Sequence, residues 1–472
     1  MALATIRADR EPIAGLAEPG RQRMRGPLRW LGEACLITAA VTMACALAFS
    51  PPARANTLSF DDSDGLHRRT IAHTQRLRDY DNAKKYGAET MQDRPRRPWE
   101  PDGWRFGNFL VFPTLGVAIE SDDNIYWSQR HRESDLRTDI NPVIKLQSRF
   151  PRHRMKVVLG ARSVNHLRYK NLDFVEGFGH LETSFHFDHA HTISIALTSN
   201  FLHEDRADPV APENARTRVP SWYNRAVIGI TRDVGRLYGT FSLRLEDNDY
   251  FDVIAFDGST IDQDIRDIRR LTNELSLGYR ISPGYEWLAK VRLIRQWTLG
   301  TGTFNRNGTG YEALSGLAFE LNPLIRMRVL GGYGAITYDH AGYDPTASWL
   351  IEAQATWLAT QRMTIYTTIN RAYADAIATD GSAFINTNII GRLEYEVWRN
   401  LIVNATAEYH QTDFVGLERI DQSWSATLGV DYLHTKNWKF DAKIKYDYRY
   451  SPTDPQFATS RTRIRVGAKL RF

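Results

Sequence analysis

The C-terminal part of this chain alternates strictly between apolar and charged residues, and no other feature constrains the fold as strongly. Between Ile464 and Phe472 every second residue is apolar, and three of the four residues between them are basic. The segment Trp438–Tyr450 alternates in the same way. Successive side chains of a strand point to opposite faces of the sheet, so both segments are predicted to be strands with one apolar and one charged face.

Segments of this kind recur from Trp104 to the C-terminus, and the connections between them alternate in length. Eight connections are short and rich in Pro, Gly, Asn and Asp, as tight turns are, and nine are longer and polar. This pattern predicts an all-β fold, a transmembrane antiparallel up-and-down β-barrel of about eighteen strands, with sixteen as the alternative count. A soluble propeller is disfavoured because a blade needs four strands, and each period here accommodates only two long ones.

The N-terminal part of the sequence does not share this pattern. A basic stretch ending at Arg29 precedes the apolar run Leu31–Phe49, and the small-residue segment Ala53–Ala55 follows it. This order is typical of a secretory signal peptide, so we predict cleavage after Ala55, with an uncleaved membrane anchor as the alternative. The predicted organisation is a signal peptide at residues 1–55, a short polar periplasmic extension or linker at 56–104, and an outer-membrane barrel at 105–472.

Composition excludes several other classes of protein. Lys and Arg number 60 and Asp and Glu 55, a net charge of +5 that is too close to zero for a nucleic-acid-binding protein of this length. A mean hydropathy of −0.43 argues against a helical membrane protein. The two cysteines, Cys35 and Cys45, both lie in the predicted signal, so the mature chain is expected to have no disulfide framework.

Short motifs near the start of the predicted barrel point to a known family. The stretches Gly107–Leu115, Glu120–Tyr126 and Ser148–His153, with Ser134-Asp135 and Asn141-Pro142, resemble the opening of the β-barrel porin 2 type family, outer-membrane β-barrels of proteobacteria. The resemblance extends over about Trp104–Phe472. It implies a Gram-negative outer-membrane location and, because such proteins are often associated with exopolysaccharide production, a role in polysaccharide export with export proteins as partners. The family supplies no catalytic residues.

Three clusters were considered as chemical sites. Asp122-Asp123-Asn124 and Glu246–Asp249 lack the spaced ligands and glycine of a calcium loop, so we interpret them as polar strand ends. His180, Ser184 and His186 share one strand face, but neither a nucleophile elbow nor a third partner accompanies them. We therefore expect no catalytic residues, metal or cofactor.

The two faces of the predicted strands have different expected roles. The apolar face of the last strand, with Ile464, Val466, Leu470 and Phe472, is expected to meet lipid and to close the barrel. The polar faces are expected to line the lumen and bias which ions pass; a merely solvated or mutually paired lining is the alternative. The predicted lumen residues are Arg244, Glu246, Lys290, Arg292, Arg326, Arg328, Glu394, Lys443, Lys445, Arg465 and Lys469.

The sequence therefore predicts a porin-like channel for hydrophilic solutes rather than an enzyme. Expected partners are outer-membrane lipid and the barrel-assembly machinery, and no nucleic acid. The alternative is a non-conducting structural or assembly component of a cell-envelope complex, and a membrane-embedded hydrolase is least favoured. A TonB-type transporter is disfavoured because a plug domain needs more than the roughly 50 residues that precede the barrel.

Overall fold

The computed structural model describes residues 90–91, 94–208, 210–212, 214–299, 305–375, 383–453 and 458–472. All of them belong to one compact unit. The predicted signal peptide, its cleavage site and most of the predicted extension lie outside the described residues.

The alternating segments form long antiparallel strands that close into a barrel of eighteen strands. Each barrel strand pairs with the next, and the first pairs with the last, from Thr114 opposite Arg471 to Asp122 opposite Arg463. The predicted all-β barrel of eighteen strands is confirmed, and the alternative count of sixteen is wrong. The barrel strands are β2 (Phe109–Asp122), β3 (Asp135–Ser148), β4 (His153–His166), β5 (Phe174–His186), β6 (His191–His203), β7 (Pro220–Val234), β8 (Leu237–Tyr250), β11 (Ile268–Ser282), β12 (Tyr285–Thr298), β13 (Gly308–Asn322), β14 (Ile325–Tyr338), β15 (Thr346–Thr360), β16 (Met363–Asp375), β17 (Ala383–Trp398), β18 (Leu401–Val415), β19 (Arg419–Leu433), β20 (Trp438–Tyr450) and β21 (Thr459–Arg471).

Three short strands lie outside this ring. β1 (Trp104–Phe106) folds back antiparallel onto β2. β9 (Val253–Ile254) and β10 (Thr260–Ile261) form a separate two-stranded ribbon in the connection between β8 and β11. No helix in the described part of the chain is long and apolar enough to cross a membrane.

The two ends of the barrel differ in the length of their connections. The eight predicted short turns all lie at the end that also holds Trp104 and Phe472, which we call the turn end. The opposite end, the loop end, carries the longer connections. One predicted long connection, residues 416–418, is only three residues long. Gly416 adopts a φ of 85° there, a left-handed conformation that glycine reaches without strain and that lets the chain reverse tightly.

The outer face of the barrel is apolar and the inner face is polar. On β21, Ile464 and Val466 are 52% and 60% exposed on the outer face, whereas Arg461 and Arg463 are buried on the inner face. The backbone N–H of Phe472 donates to the carbonyl oxygen of Pro113 on β2. The last strand therefore closes the barrel and turns its alternate apolar residues outward, as its period predicts.

Exposed tryptophans mark the two edges of the apolar outer face. Aromatic side chains are enriched at both interfaces of membrane barrels, where one edge of the ring meets lipid and the other meets water. Trp357, Trp398 and Trp438 lie near the turn end, and Trp349 and Trp424 lie toward the loop end.

Candidate pore lining and lid

The predicted lumen residues all lie on the inward-facing parity of their strands. Arg292, for example, alternates with Val291 and Leu293, which are 45% and 56% exposed on the outer face. Glu394 is buried inside while its neighbour Tyr395 is exposed outside. Their placement on the inner face follows from the strand period, but whether they control selectivity remains a prediction.

A network of ion pairs covers one side of the inner wall. Arg292 is its centre: its guanidinium donates to Glu274 at 2.9 Å, to Glu312 at 2.6 Å and to Glu352 at 2.6 Å. Lys290 donates to the other carboxylate oxygen of Glu352 at 2.5 Å. These charges come from β11, β12, β13 and β15 and neutralise one another locally. The sequence left open whether the charged lumen residues would pair with one another. On this part of the wall they do.

The inner faces of β20 and β21 carry a different arrangement, which we call the basic ladder. The strand register places Lys443 opposite Arg465, and Lys445 opposite Arg463. Like charges directly opposite each other destabilise a sheet, so this arrangement is not explained by folding alone. Acids compensate in part, because Asp447 lies 3.0 Å from Arg463 and 3.3 Å from Lys445, and Asp431 lies 3.2 Å from Lys439. The ladder consists of Lys439, Lys443, Lys445, Arg449, Arg461, Arg463, Arg465 and Lys469.

Sequence reasoning identified only half of this ladder. Lys439 and Arg449 share the parity of Lys443 on one strand and could have been included on that ground. Arg461 and Arg463 were missed for another reason. The predicted alternation of the last strand started only at Ile464, whereas β21 already begins at Thr459.

The connection between β6 and β7 crosses the loop end of the barrel. We call its described residues, 204–208, 210–212 and 214–219, the lid. Val210 of the lid packs against Phe384 on β17 and Phe414 on β18. In the ring order β17 and β18 lie halfway around the barrel from β6 and β7. The lid therefore reaches from one side of the mouth to the opposite side.

The C-terminal half of the lid packs against the connection between β8 and β11, which contains the β9–β10 ribbon. Ala215 and Val219 of the lid form a small apolar core with Val253. Backbone hydrogen bonds join the two connections as well, because Arg216 N–H donates to the carbonyl oxygen of Ile254 at 2.8 Å. Apolar burial and backbone pairing together give the lid a defined conformation.

An ion pair fastens the N-terminal half of the lid to the basic ladder. Both carboxylate oxygens of Asp205 accept from the guanidinium of Arg461, each at 3.3 Å. The Arg461 side chain is almost fully buried, whereas the Asp205 side chain is 39% exposed. The lid thus contacts a ladder position close to the loop end, two residues further along β21 than Thr459, which lies opposite Arg449.

A buried carboxylate beside this contact responds to pH. Glu204 accepts from Arg266 at 3.0 Å, and Asp205, Asp208 and Tyr250 also face it. Burial and the charge of Asp208 raise the pKa of Glu204 to about 7, although Arg266 opposes the shift. The closed lid therefore binds this proton more tightly than a solvated lid would, since a free Glu has a pKa of about 4.3.

Acidification is expected to stabilise the closed lid. The raised pKa of a carboxyl means that closure gains stability as the pH falls below about 7, and loses this contribution as the pH rises through 7. Hydrogen exchange of the lid amides, corrected for intrinsic rates, should show about tenfold more protection at pH 5 than at pH 8. Glu204→Gln should remove the part of the protection that increases as the pH falls. Protection that increases with pH in the unmodified protein would contradict this assignment.

A family model settles the relationship that the short motifs indicated. The model described as "Putative beta-barrel porin 2" matches residues 97–472. The chain belongs to this β-barrel porin family. The predicted resemblance is thereby confirmed, and the barrel is a porin-like barrel of the outer-membrane type.

Solved structures of other barrels are similar to this porin in fold. OpdL from Pseudomonas aeruginosa has 10% identity, with 78% of this chain and 99% of OpdL covered and a TM-score of 0.41. OccAB4 from Acinetobacter baumannii has 11% identity, with 80% and 100% covered and a TM-score of 0.41. A variant of the ferric enterobactin receptor PfeA from Pseudomonas aeruginosa has 7% identity, with 76% and 80% covered and a TM-score of 0.42. A search of curated proteins gave no match.

Part of the porin's predicted extension lies against the inner wall at the turn end. Met91 is buried, and its backbone N–H donates to the hydroxyl of Thr364 on β16 at 3.1 Å. Arg96 is buried as well and donates to Glu396 on β17 at 2.9 Å. At Met91 and Arg96 the predicted extension is therefore bound to the barrel wall and shielded from solvent.

The other candidate clusters of the porin bond to its own groups. Asp122 accepts from the backbone N–H of Asn124 at 2.9 Å, and Asp123 accepts from Arg132 at 2.9 Å. His180, Ser184 and His186 face inward, and His180 lies 3.2 Å from the hydroxyl of Thr198. Sequence reasoning did not find a further acidic cluster at the loop end, formed by Asp252, Asp262 and Asp264.

Proposed function

We propose that this protein is an outer-membrane channel that passes hydrophilic solutes and favours anions. The observation that carries the proposal is the basic ladder, which keeps like charges opposite each other on the inner wall. A closed barrel of eighteen strands is wide enough for an aqueous path, and fixed charges on such a path bias the ions that cross it. Ladder residues pair with acids too, but on the inner faces of β20 and β21 the eight basic residues outnumber the two acids, Asp441 and Asp447, and this local excess of positive charge would supply the bias.

The proposal includes how the protein reaches its site. Cleavage near Ala55 would release the mature chain into the periplasm, and the barrel-assembly machinery would insert it with the turn end facing the periplasm. The family resemblance suggests a polysaccharide as cargo, and the basic ladder would favour an acidic one. In that case, export proteins of the cell envelope would deliver the chain to the turn end.

Conductance measurements on the purified barrel in planar bilayers test the proposal. Steady conductance with an anion-favouring reversal potential in a salt gradient supports it. A correctly assembled but silent barrel would overturn it and favour the alternative of a structural or assembly component. The same recordings in the presence of an acidic polysaccharide would show whether the lumen accepts such a chain, because a threaded polymer reduces the ion current.

Neutralising the ladder is expected to reduce the anion preference. Replacing Lys443, Lys445, Arg465 and Lys469 by Gln removes four positive charges from the inner wall. The anion-to-cation permeability ratio should fall about twofold at low salt, and less at 0.15 M, where screening acts over about 8 Å. Asp139 and Asp447 also pair with ladder residues, at 3.3 Å from Arg465 and 3.0 Å from Arg463, and limit the effect.

A matched variant separates lumen charge from total charge. Arg130, Arg152, Arg232 and Arg236 are exposed outside the lumen, and replacing all four by Gln removes the same number of charges. This control should keep the reversal potential of the unmodified protein. An equal shift in both quadruple variants, or a shift in neither, would contradict the assignment of selectivity to the ladder.

A further inference from the structure

Several groups hold the guanidinium of Arg461 in place near the loop end. Arg461 is held from below by the ring of Trp127, whose centroid lies 4.8 Å from the guanidinium carbon. Asp447 and Asp122 hold it from the side, at 3.6 and 3.9 Å. Arg461 is therefore fixed by groups other than the lid, and it keeps one forked edge directed at Asp205.

The charges around this edge favour an anion. Desolvation raises the pKa of Asp205, but Arg461, Arg218 and Arg463 outweigh it and hold that pKa well below its usual value. Asp205 is thus ionised, and the three basic groups around it provide a positive potential. The two-oxygen, two-nitrogen geometry is the one in which Arg binds a carboxylate.

The contact also has the features of one that can be exchanged. Its two distances of 3.3 Å exceed the 2.7–2.9 Å that is usual for such charge-assisted bonds. Asp205 is partly exposed, so a solute can approach from the loop end. By contrast, Glu204 beside it is buried in its pair with Arg266. The lid therefore combines a fixed support at Glu204 with a weaker contact at Asp205.

We propose that Asp205 is an internal competitor for a carboxylate-binding site on Arg461. A carboxylate group of an incoming solute displaces Asp205 from Arg461, the lid loses its contact with the ladder, and the mouth opens for the same class of solute that the ladder favours. The inference deepens the proposed channel function, because it names the carboxylate as the group that is recognised at the mouth.

The test compares acetate with chloride in bilayer recordings on the full-length mature protein. At equal ionic strength and pH 7.5, potassium acetate should raise the ratio of open to closed time about fivefold over potassium chloride. Fivefold corresponds to the loss of an ion pair of about 1 kcal/mol. Asp205→Asn should be about fivefold more open in chloride and should no longer respond to acetate. Asp205→Glu keeps the carboxylate and should restore the response.

A control with the same change of charge completes this experiment. Asp257 lies between β9 and β10 and accepts a hydrogen bond from the hydroxyl of Ser259. Asp257→Asn removes one negative charge from the loop end and leaves the contacts of Arg461 unchanged. It should behave like the unmodified protein. An unmodified channel with the same ratio of open to closed time in both salts would overturn the proposal, even if the Asn variant failed to assemble.

A second measurement separates this proposal from the channel function itself. Arg206 follows Asp205 in the lid and is buried in the closed structure, so its cleavage by trypsin in vesicles reports lid release without any need for conduction. Faster cleavage in acetate than in chloride, abolished by Asp205→Asn, would support the competitor role even in a silent barrel. A conducting barrel whose cleavage rate ignores both acetate and Asp205 would retain the channel function and reject the competitor.

Discussion

Replacing Glu352 by Gln is expected to destabilise the barrel by about 3–5 kcal/mol, the range for removing one partner of a buried ion pair. Glu352 accepts from Arg292 at 2.6 Å and from Lys290 at 2.5 Å, and its side chain is only 10% exposed. Gln retains the size but not the charge, so two basic groups lose a shared counter-ion. Urea-dependent folding into lipid vesicles measures the free energy directly.

Glu320 is the matched control for this experiment. It also lies on the inner face, but its side chain is 22% exposed and forms an ion pair with Arg326 at 3.3 Å. Glu320→Gln should cost no more than about 1 kcal/mol, as partly exposed ion pairs do. Combining Glu352→Gln with Lys290→Met should recover part of the lost stability, because the second change removes an uncompensated charge. Equal stabilities of the two Gln variants would show that the network around Arg292 is solvated.

The strands and their faces were predictable because the information is local. Period two fixes which residues of a segment share a face, so the inward orientation of Lys443 and Arg465 follows from β20 and β21 taken separately. Turn residues mark where each segment reverses, and an even alternation of short and long connections leaves little choice of topology. The register between two strands joined by a short turn then follows. β20 and β21 are joined by a longer connection at the loop end, so the pairing of Lys443 with Arg465 could not be predicted in this way.

The lid could not be predicted in the same way because its contacts are distant in sequence. Asp205 and Arg461 are separated by 256 positions, and Val210 meets strands on the opposite side of the barrel. Nothing in the polar sequence between β6 and β7 distinguishes a connection that folds across the mouth from one that extends into solvent. Its position depends on the small apolar core with Val253 and on the pairing of Arg216 with Ile254.

The sequence did not predict how deep each residue lies in the membrane. This depth determines how much free energy a charge on the outer face costs. Ile444 lies near the middle of β20, six residues from the interfacial Trp438, whereas Leu470 lies directly opposite Trp438. Both side chains belong to the apolar outer face. A charge at Leu470 can reach interfacial water, but a charge at Ile444 cannot do so without distorting the barrel or the bilayer.

Ile444→Arg is therefore expected to cost about 2–4 kcal/mol of folding free energy in vesicles, and Leu470→Arg only about 0–1 kcal/mol. Lys445→Arg is the control, because it keeps the charge on the inner face of the same strand and should change stability by less than about 0.5 kcal/mol. All three variants can be measured in the same urea titration. An Ile444→Arg barrel as stable as Lys445→Arg would mean that β20 presents its apolar face to the lumen, and the assignment of inside and outside for the whole barrel would have to be reversed.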